Sequence, residues 1–504
     1  MIQRLMPNVM CAFFMLAFLT MPTVNASLPS PVLNVQFSAE PTQYDPLMLE
    51  DGVALRIAAN TIGTLYSYDG AGNLSKDLLE QVSISRDRKK YSFKFKKGLK
   101  WSDGKPFHAD QFILAVRRLV NEPVKVALSE LFPSIDLKKT RVLDSLTAEV
   151  VLKEKDGQFL SYLSLPPFAP IRQDMIDQYE QKANPMVPTL AAYEVVAYKR
   201  EDSLTLKKNE FYHAKDRVEI TDVKIRFIQD EASLLPLIKN GTLDILSKVP
   251  VLQLKEIKNS AQLAEVQVEA VTYLAFNLKK APFNDLKKRQ LFRDALSSKK
   301  NELATILKTA EKPAFTFLPA ILIPGAVPMH HSLPTADSQP KDRVEYQMQS
   351  DNGSRNQTIL EYVQSVIKDQ LGWRGKLDVL DWKAHYAKLK TDPDDLYRFG
   401  WQNPTSDPYV MYQVLMSHSS NNFTGWSNAN YDELVVQLRN ENKAVRKEKL
   451  IEKIEAILWA EAPVVPLLHQ VLRFAYTKRV LGFRANPFGI ILFRELRLAK
   501  NESN

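Results

Sequence analysis

Tyr91-Ser92-Phe93-Lys94-Phe95-Lys96-Lys97-Gly98-Leu99-Lys100-Trp101-Ser102-Asp103-Gly104-Lys105-Pro106-Phe107, followed after His108 by Ala109-Asp110-Gln111-Phe112, is the stretch on which the fold turns. Its first five residues alternate aromatic and polar, the period of a strand with one face buried. Ser102-Asp103-Gly104 marks a turn directly after Trp101, since Asp hydrogen-bonds its own backbone and Gly accepts the dihedrals of a reversal. From about Ala109 the period lengthens to that of a helix, with Phe112, Val116, Leu119 and Val120 on one face.

The alternation of strand and helix continues outward from there. Strand patterns stand at Leu146 to Leu152, Leu204 to Leu206 and Val223 to Ile228, and a short helix is expected from Glu231 to Asn240, ended by Gly241. Leu450, Ile454, Ile457 and Leu458 make an amphipathic helix stopped near Ala462-Pro463. Such alternation implies mixed α/β layers rather than an all-α or all-β architecture. Residues 312 to 341 carry Pro313, Pro319, Pro324, Pro328, Pro334 and Pro340 and are expected to cross the surface in extended form. A chain of 504 residues exceeds what one core supports, so two or three domains are expected.

Residues 1–26 read as a secretion signal: Arg4, the apolar run from Ala12 to Leu19, then Val24-Asn25-Ala26 before Ser27 as a small-residue cleavage site. The single cysteine, Cys11, lies within that leader, so the mature chain has no thiol for a disulfide, a zinc site or a nucleophile. The formal charge of +9 does not imply nucleic acid as a partner, because the basic residues are doublets such as Lys89-Lys90 and Lys207-Lys208 interleaved with acids. Past the leader no apolar run approaches membrane-spanning length.

Catalytic and cofactor motifs are missing. There is no Walker loop, no H-E-x-x-H and no G-x-S-x-G. Gly70-Ala71-Gly72 lacks the third glycine of a dinucleotide loop and suits a hairpin turn; His330-His331 have no acid or cysteine at metal-ligand spacing. Asp394-Asp395 resemble solvated loop charges more than an acid and base pair. The expectation is a protein without cofactor or metal that is not an enzyme.

The stretch from Tyr91 to Phe112 resembles the signature of the bacterial extracellular solute-binding proteins of family 5, the periplasmic oligopeptide- and dipeptide-binding proteins of ABC importers. Further segments resemble it in the same order: Tyr44-Asp45-Pro46, Gly241-Thr242-Leu243-Asp244-Ile245, Phe276-Asn277, Ala281-Pro282-Phe283-Asn284-Asp285, Ser419-Ser420-Asn421-Asn422 and Ala462-Pro463. The resemblance implies a two-lobed periplasmic-binding-protein fold of the α/β class, with a hinge and an extra N-terminal subdomain. It places lobe I at 27–65, 185–270 and 470–504, the subdomain at 66–184 and lobe II at 271–469. The implied role is a periplasmic, monomeric receptor that takes a small peptide or peptide-like ligand into the inter-lobe cleft and delivers it to the importer permease of the inner membrane. The alternatives are an exported hydrolase or peptidase on a mixed α/β fold and a binding protein for a non-peptide solute.

By the same resemblance, Tyr397-Arg398-Phe399-Gly400-Trp401 falls on the cleft stretch: Arg398 on an arginine near the ligand, Gly400 on a main-chain contact, Trp401 on a pocket wall. Trp382, followed by Lys383, matches a second cleft tryptophan, Glu50 an acid contacting the ligand from lobe I, and Asn403 and Asp407 follow in the same loop. Pro404 stands where the family carries the acid that holds the ligand's α-amino group. His108 takes the usual Ser or Thr helix-cap position. Three readings stay open: a peptide whose amino group is held by Asp407 or Glu50, a blocked or non-peptide solute, or another role on the same fold. Two tryptophans and one arginine favour a ligand with an apolar body and one anionic group.

Overall fold

The computed structural model describes residues 32–49, 51–121, 132–182, 185–322 and 343–499. The expected leader, Glu50 and the His330-His331 pair lie outside the described residues. Tyr91, Phe93 and Phe95 are fully buried in the strand Lys90–Phe95 while Lys90 is exposed, as the alternation requires. This strand sits in an antiparallel four-stranded sheet between Leu79–Ile84 and Thr147–Val151, with Arg141–Asp144 outermost. The helix Ala109–Asn121 lays Phe112 across it edge-to-face, with ring centroids 5.7 Å from Phe93 and from Phe95. Val120, expected on the buried face, is exposed instead. At 100° per residue it lies about 80° away from Phe112, beyond the edge of the apolar stripe.

The signature residues fix the turn as a unit. Trp101 is buried and its indole N–H donates to Gln111 Oε1 at 2.9 Å, while Asp103 pairs with Arg172. The same Gln111 oxygen accepts the His108 backbone N–H at 3.2 Å, the return half of a capping box. A side-chain bond from the third helical residue thus secures the helix start although His108 is a poor cap. Gly72 closes the hairpin between Tyr66–Tyr68 and Leu74–Lys76 at a φ of +86° that glycine adopts freely.

The second, larger sheet has 11 strands. Ten of them run in the order Arg374–Leu380, Glu345–Asp351, Leu396–Gln402, Gln262–Phe276, Val464–Tyr476, Ile245–Leu246, Leu33–Phe37, Asp222–Phe227, Ser203–Lys208, Tyr193–Lys199, and the eleventh, Lys312–Pro313, pairs with Val464–Tyr476 off this path. The two long antiparallel strands Gln262–Phe276 and Val464–Tyr476 run through the middle and belong to both halves. Their register shifts between Gln267 and Val271, where one half of the sheet gives way to the other. Separate buried clusters serve the two halves: one gathers Val35, Ile225 and Phe474, the other Phe276, Met348 and Val465. A third joins the four-stranded sheet to the helices Pro408–Gln413 and Ala429–Asn440.

Two loop expectations need correction. The segment expected to cross the surface from residue 312 begins instead as a strand, Lys312–Pro313, on Val464–Tyr476, and buries Ala314, Phe317 and Leu318 completely. Its N–H groups at Phe317 and Leu318 are accepted by the buried Glu455 carboxylate, so the backbone needs no water there. Residues 323–342 are outside the described residues. Asp394 and Asp395, expected as solvated charges, are structural: Asp394 is buried and pairs with Lys388 at 2.7 Å, and Asp395 accepts the Gln347 N–H at 2.9 Å.

Candidate functional site

Leu396–Gln402 pairs antiparallel with Gln262–Phe276, setting Trp401 opposite Val271, Gly400 opposite Thr272, Phe399 opposite Tyr273 and Arg398 opposite Leu274. Side chains alternate across a strand, so Trp401 and Phe399 share one face while Arg398 and Gly400 share the other. The tryptophan and the arginine expected to grip one ligand are therefore not neighbours on one surface.

On the first face, Phe399 stacks with Trp382 at 6.4 Å and 10°, and Trp382 stacks in turn on Tyr386 at 5.5 Å and 14°. Phe423 closes the group edge-on to Phe399 at 5.8 Å. Trp382 begins the helix Trp382–Thr391, whose start is capped by Asp381 accepting from the N–H groups of Lys383 and Ala384. The Trp382 residue is 52% exposed although its ring is stacked, so it presents a flat aromatic shelf to solvent. Lys383, beside it, is exposed. Trp401 is half-buried against the core, and its indole N–H is buried without a hydrogen-bond partner.

On the opposite face Arg398 is nearly buried and pairs with Asp351 at 3.3 Å. Burial and the neighbouring Arg355 guanidinium push Arg398 down to about 10, against the pull of Asp351 and Glu311. Arg355 is itself held by Glu311, and Gln470 donates to Thr272 at 3.2 Å beside it. The Arg398 Nε is buried with no partner. A β-carbon on Gly400 would lie 3.8 Å from Arg398 Nη2, so this glycine keeps the approach to the guanidinium low.

The turn after the strand is occupied by its own bonds. Asn403 is fully buried and donates to Glu269 Oε2 at 3.0 Å and to the Asp407 carbonyl at 3.1 Å. Asp407 caps the helix Pro408–Gln413 through the Tyr409 N–H at 2.8 Å and pairs with Lys447 at 3.2 Å; burial raises its pKa. Glu50 lies outside the described residues.

Three buried acidic side chains matter here that no sequence motif marked. Asp156, in the loop after Thr147–Val151, pairs with Arg439 at the end of Ala429–Asn440 across 283 residues of chain. Gly157 beside it packs so closely that a β-carbon would come within 2.6 Å of the Arg439 carbonyl oxygen. Glu269, at the register shift of the long strand, accepts from Asn403 and from the Ser406 hydroxyl at 2.7 Å. Glu455 accepts the Tyr412 hydroxyl at 2.7 Å besides its two backbone bonds. Among the described residues no group of three or more His, Cys, Asp or Glu could hold a metal ion. No helix among them is long and apolar enough to cross a membrane.

Residues 73–423 match the family described as "Bacterial extracellular solute-binding proteins, family 5 Middle". The chain is 25% identical over 502 residues to the dipeptide-binding protein DppE of Bacillus subtilis, covering 91% of this chain and 90% of that one. It is 24% identical over 506 residues to the "Probable deoxycholate-binding periplasmic protein YgiS" of Escherichia coli, covering 93% and 94%. The solved structure of the murein tripeptide binding protein MppA of Escherichia coli superposes with a TM-score of 0.81 at 19% identity, over 94% of this chain and 99% of that one. The fold is thus the two-lobed α/β binding-protein fold.

Proposed function

The chain belongs to the bacterial extracellular solute-binding proteins of family 5, and from that premise we propose that it is exported to the periplasm, captures a peptide or peptide-like solute between two lobes and delivers it to an importer permease. The observation that carries the reading is the middle of the large sheet. Two long strands shared by both halves, with a register shift at Gln267–Val271, are a hinge that leaves each half's core intact when it bends. Dividing the lobes at 270/271 and 469/470 puts those strands across the boundary, with the four-stranded sheet as the subdomain. Arg439 then reaches Asp156 from the opposite lobe, as a contact made on closure. The Trp382 shelf and the Arg398 guanidinium, on the two faces of one strand, offer separate places for an apolar group and an anion.

Similarity to the relative named "Probable deoxycholate-binding periplasmic protein YgiS" also favours keeping a non-peptide solute with an apolar body and one acid as the second reading. Mass spectrometry of the solute released from the purified mature protein by denaturation separates the two. Trp401→Ala is expected to weaken binding of that solute by about 2 kcal/mol, the loss typical of a buried aromatic contact. Unchanged affinity removes Trp401 from the site, and cleavage of bound peptides by the pure protein overturns the receptor reading.

A further inference from the structure

Glu269 is 2% exposed, and among the described residues its carboxylate meets only two donors, the Asn403 amide and the Ser406 hydroxyl, both neutral. A carboxylate has room for about four hydrogen bonds, and burying its charge without a cation is expensive. No Lys, Arg or His forms an ion pair with it among the described residues, and the charge acting on it is the like charge of Asp407. Its surroundings come from elements on both sides of the proposed hinge. Tyr68, from the hairpin strand Tyr66–Tyr68, reaches the hydroxyls of Ser164 and Ser406, and the Glu269 N–H donates to Pro487 in the C-terminal loop. In the same turn the Thr405 hydroxyl, on a fully buried residue, has no partner, nor has the Trp401 indole N–H. Pro404, which can offer no charge, lies between Asn403 and Thr405.

We propose that Glu269 is the specificity-determining residue that receives a cationic amine of the solute, reaching into the 403–406 turn from the neighbouring strand. This rests on the reading that solute is captured at the junction of the two lobes, and it narrows the solute class to amines. The chemistry is a charge-assisted hydrogen bond, R–NH3+ to carboxylate, made where water is excluded. Burial already pushes the Glu269 carboxyl up to about 7, with Asp407 adding to it against the bonds from Ser406 and Asn403. The titratable and charged groups near it are Tyr68 and Asp407, the latter engaged by Lys447. The loop 486–489 contributes none. Burial thus favours the protonated acid in the free protein, and an arriving cation favours the carboxylate and expels that proton.

The experiment is titration calorimetry of the wild type and Glu269→Gln with four probes: trialanine, N-acetyltrialanine, n-hexylamine and N-hexylacetamide. The expected result is wild-type preference for the free amine over its acetylated twin of about 10- to 100-fold, and loss of that preference in Glu269→Gln with binding of the acetylated twin unchanged. Equal wild-type affinity for both members of each pair, or a preference that survives Glu269→Gln, overturns the anchor while leaving peptide capture standing. Binding of hexylamine but not of trialanine, lost in Glu269→Gln, supports the anchor and removes the peptide reading. No binding by any amine overturns the anchor. A second measurement needs no variant: wild-type heats for n-hexylamine in buffers of different ionisation enthalpy should report proton release that grows as the pH is lowered from about 8 to 6, and no release across that range overturns the proposal.

Discussion

Arg439→Met tests whether the Asp156–Arg439 pair joins two moving bodies or braces one. The Asp156 side chain is 1% exposed, and without Arg439 its remaining protein donor among the described residues is the Gln158 N–H at 2.7 Å. A buried carboxylate stripped of its cation costs about 3–5 kcal/mol. At 1% exposure the closed form offers the stranded carboxylate no water. Opening the hinge does, since it hydrates the carboxylate for the few kcal/mol that separate two conformers of such a protein. The closed population of the free protein should therefore fall by about 100-fold or more, and the apparent Kd of the co-purified solute should rise by a similar factor. Stability to urea should drop by less than about 1 kcal/mol, an amount that also covers the Arg439 contact with the Tyr409 ring at 5.0 Å. Small-angle scattering should show a larger radius of gyration, and Asp156→Asn added to Arg439→Met should recover most of the affinity, because no charge is then stranded. A variant that loses about 3 kcal/mol or more of unfolding free energy, with scattering and affinity unchanged, makes the pair a brace within one body and refutes a contact made on closure.

Gly157→Ala puts a methyl group 2.6 Å from the Arg439 carbonyl, too close for either backbone to stay in place; solute should dissociate faster with little change in Tm, measured by stopped-flow Trp fluorescence. His469 makes the stability of the fold depend on pH. Burial, aided by the Lys300 cation and opposed by its bond to the Thr316 carbonyl at 3.0 Å, lowers it to about 4 in the folded chain. The unfolded value is about 6.5, so the unfolded chain binds a proton that the folded one refuses. The contribution is fully present above pH 6.5 and is lost as pH falls to 4. Wild-type stability relative to His469→Gln should decline by about 3 kcal/mol across that window in urea titrations, and a flat difference removes His469 as the cause.

The strand at Tyr91 and the helix behind it were legible because each period is local: aromatic rings at every second residue, then apolar residues one turn apart. The order of family-like segments was legible too, and the structure shows what they are for. Asp45 forms a bidentate pair with Arg118, Asp244 accepts the Asn34 N–H and pairs with Arg479, and Asn422 donates to the carbonyls of Leu415, Met416 and Trp426. These residues hold the scaffold, so the resemblance they carry reports the fold far better than the ligand. Glu269 was not legible. Glu265, Gln267 and Glu269 alternate with Val266 and Val268, a pattern that reads as one solvated face along the whole strand. Glu265 is exposed as that pattern requires, whereas Glu269 is buried, because the strand changes neighbours and register between the two. Asp156 and Arg439 are separated by 283 residues, beyond any local pattern.

Beside the buried apolar cluster that joins the four-stranded sheet to Pro408–Gln413 and Ala429–Asn440, the junction carries ion pairs and hydroxyls, and these suit the proposed role for an energetic reason. An apolar junction of the same extent would gain about 25 cal/mol for each Å² closed over it, and the protein would stay shut without solute. Asp156, Arg439 and Glu269 gain little from closure, since each exchanges good hydration for one or two protein bonds. Each polar contact of this kind lowers what closure gains without solute, so that a bound solute weighs more in the balance between open and closed forms. The solute contributes most where the protein leaves a buried charge uncompensated. Among the three, Asp156 and Arg439 neutralise each other, and Glu269 is the one whose burial a cationic solute would repay on closing.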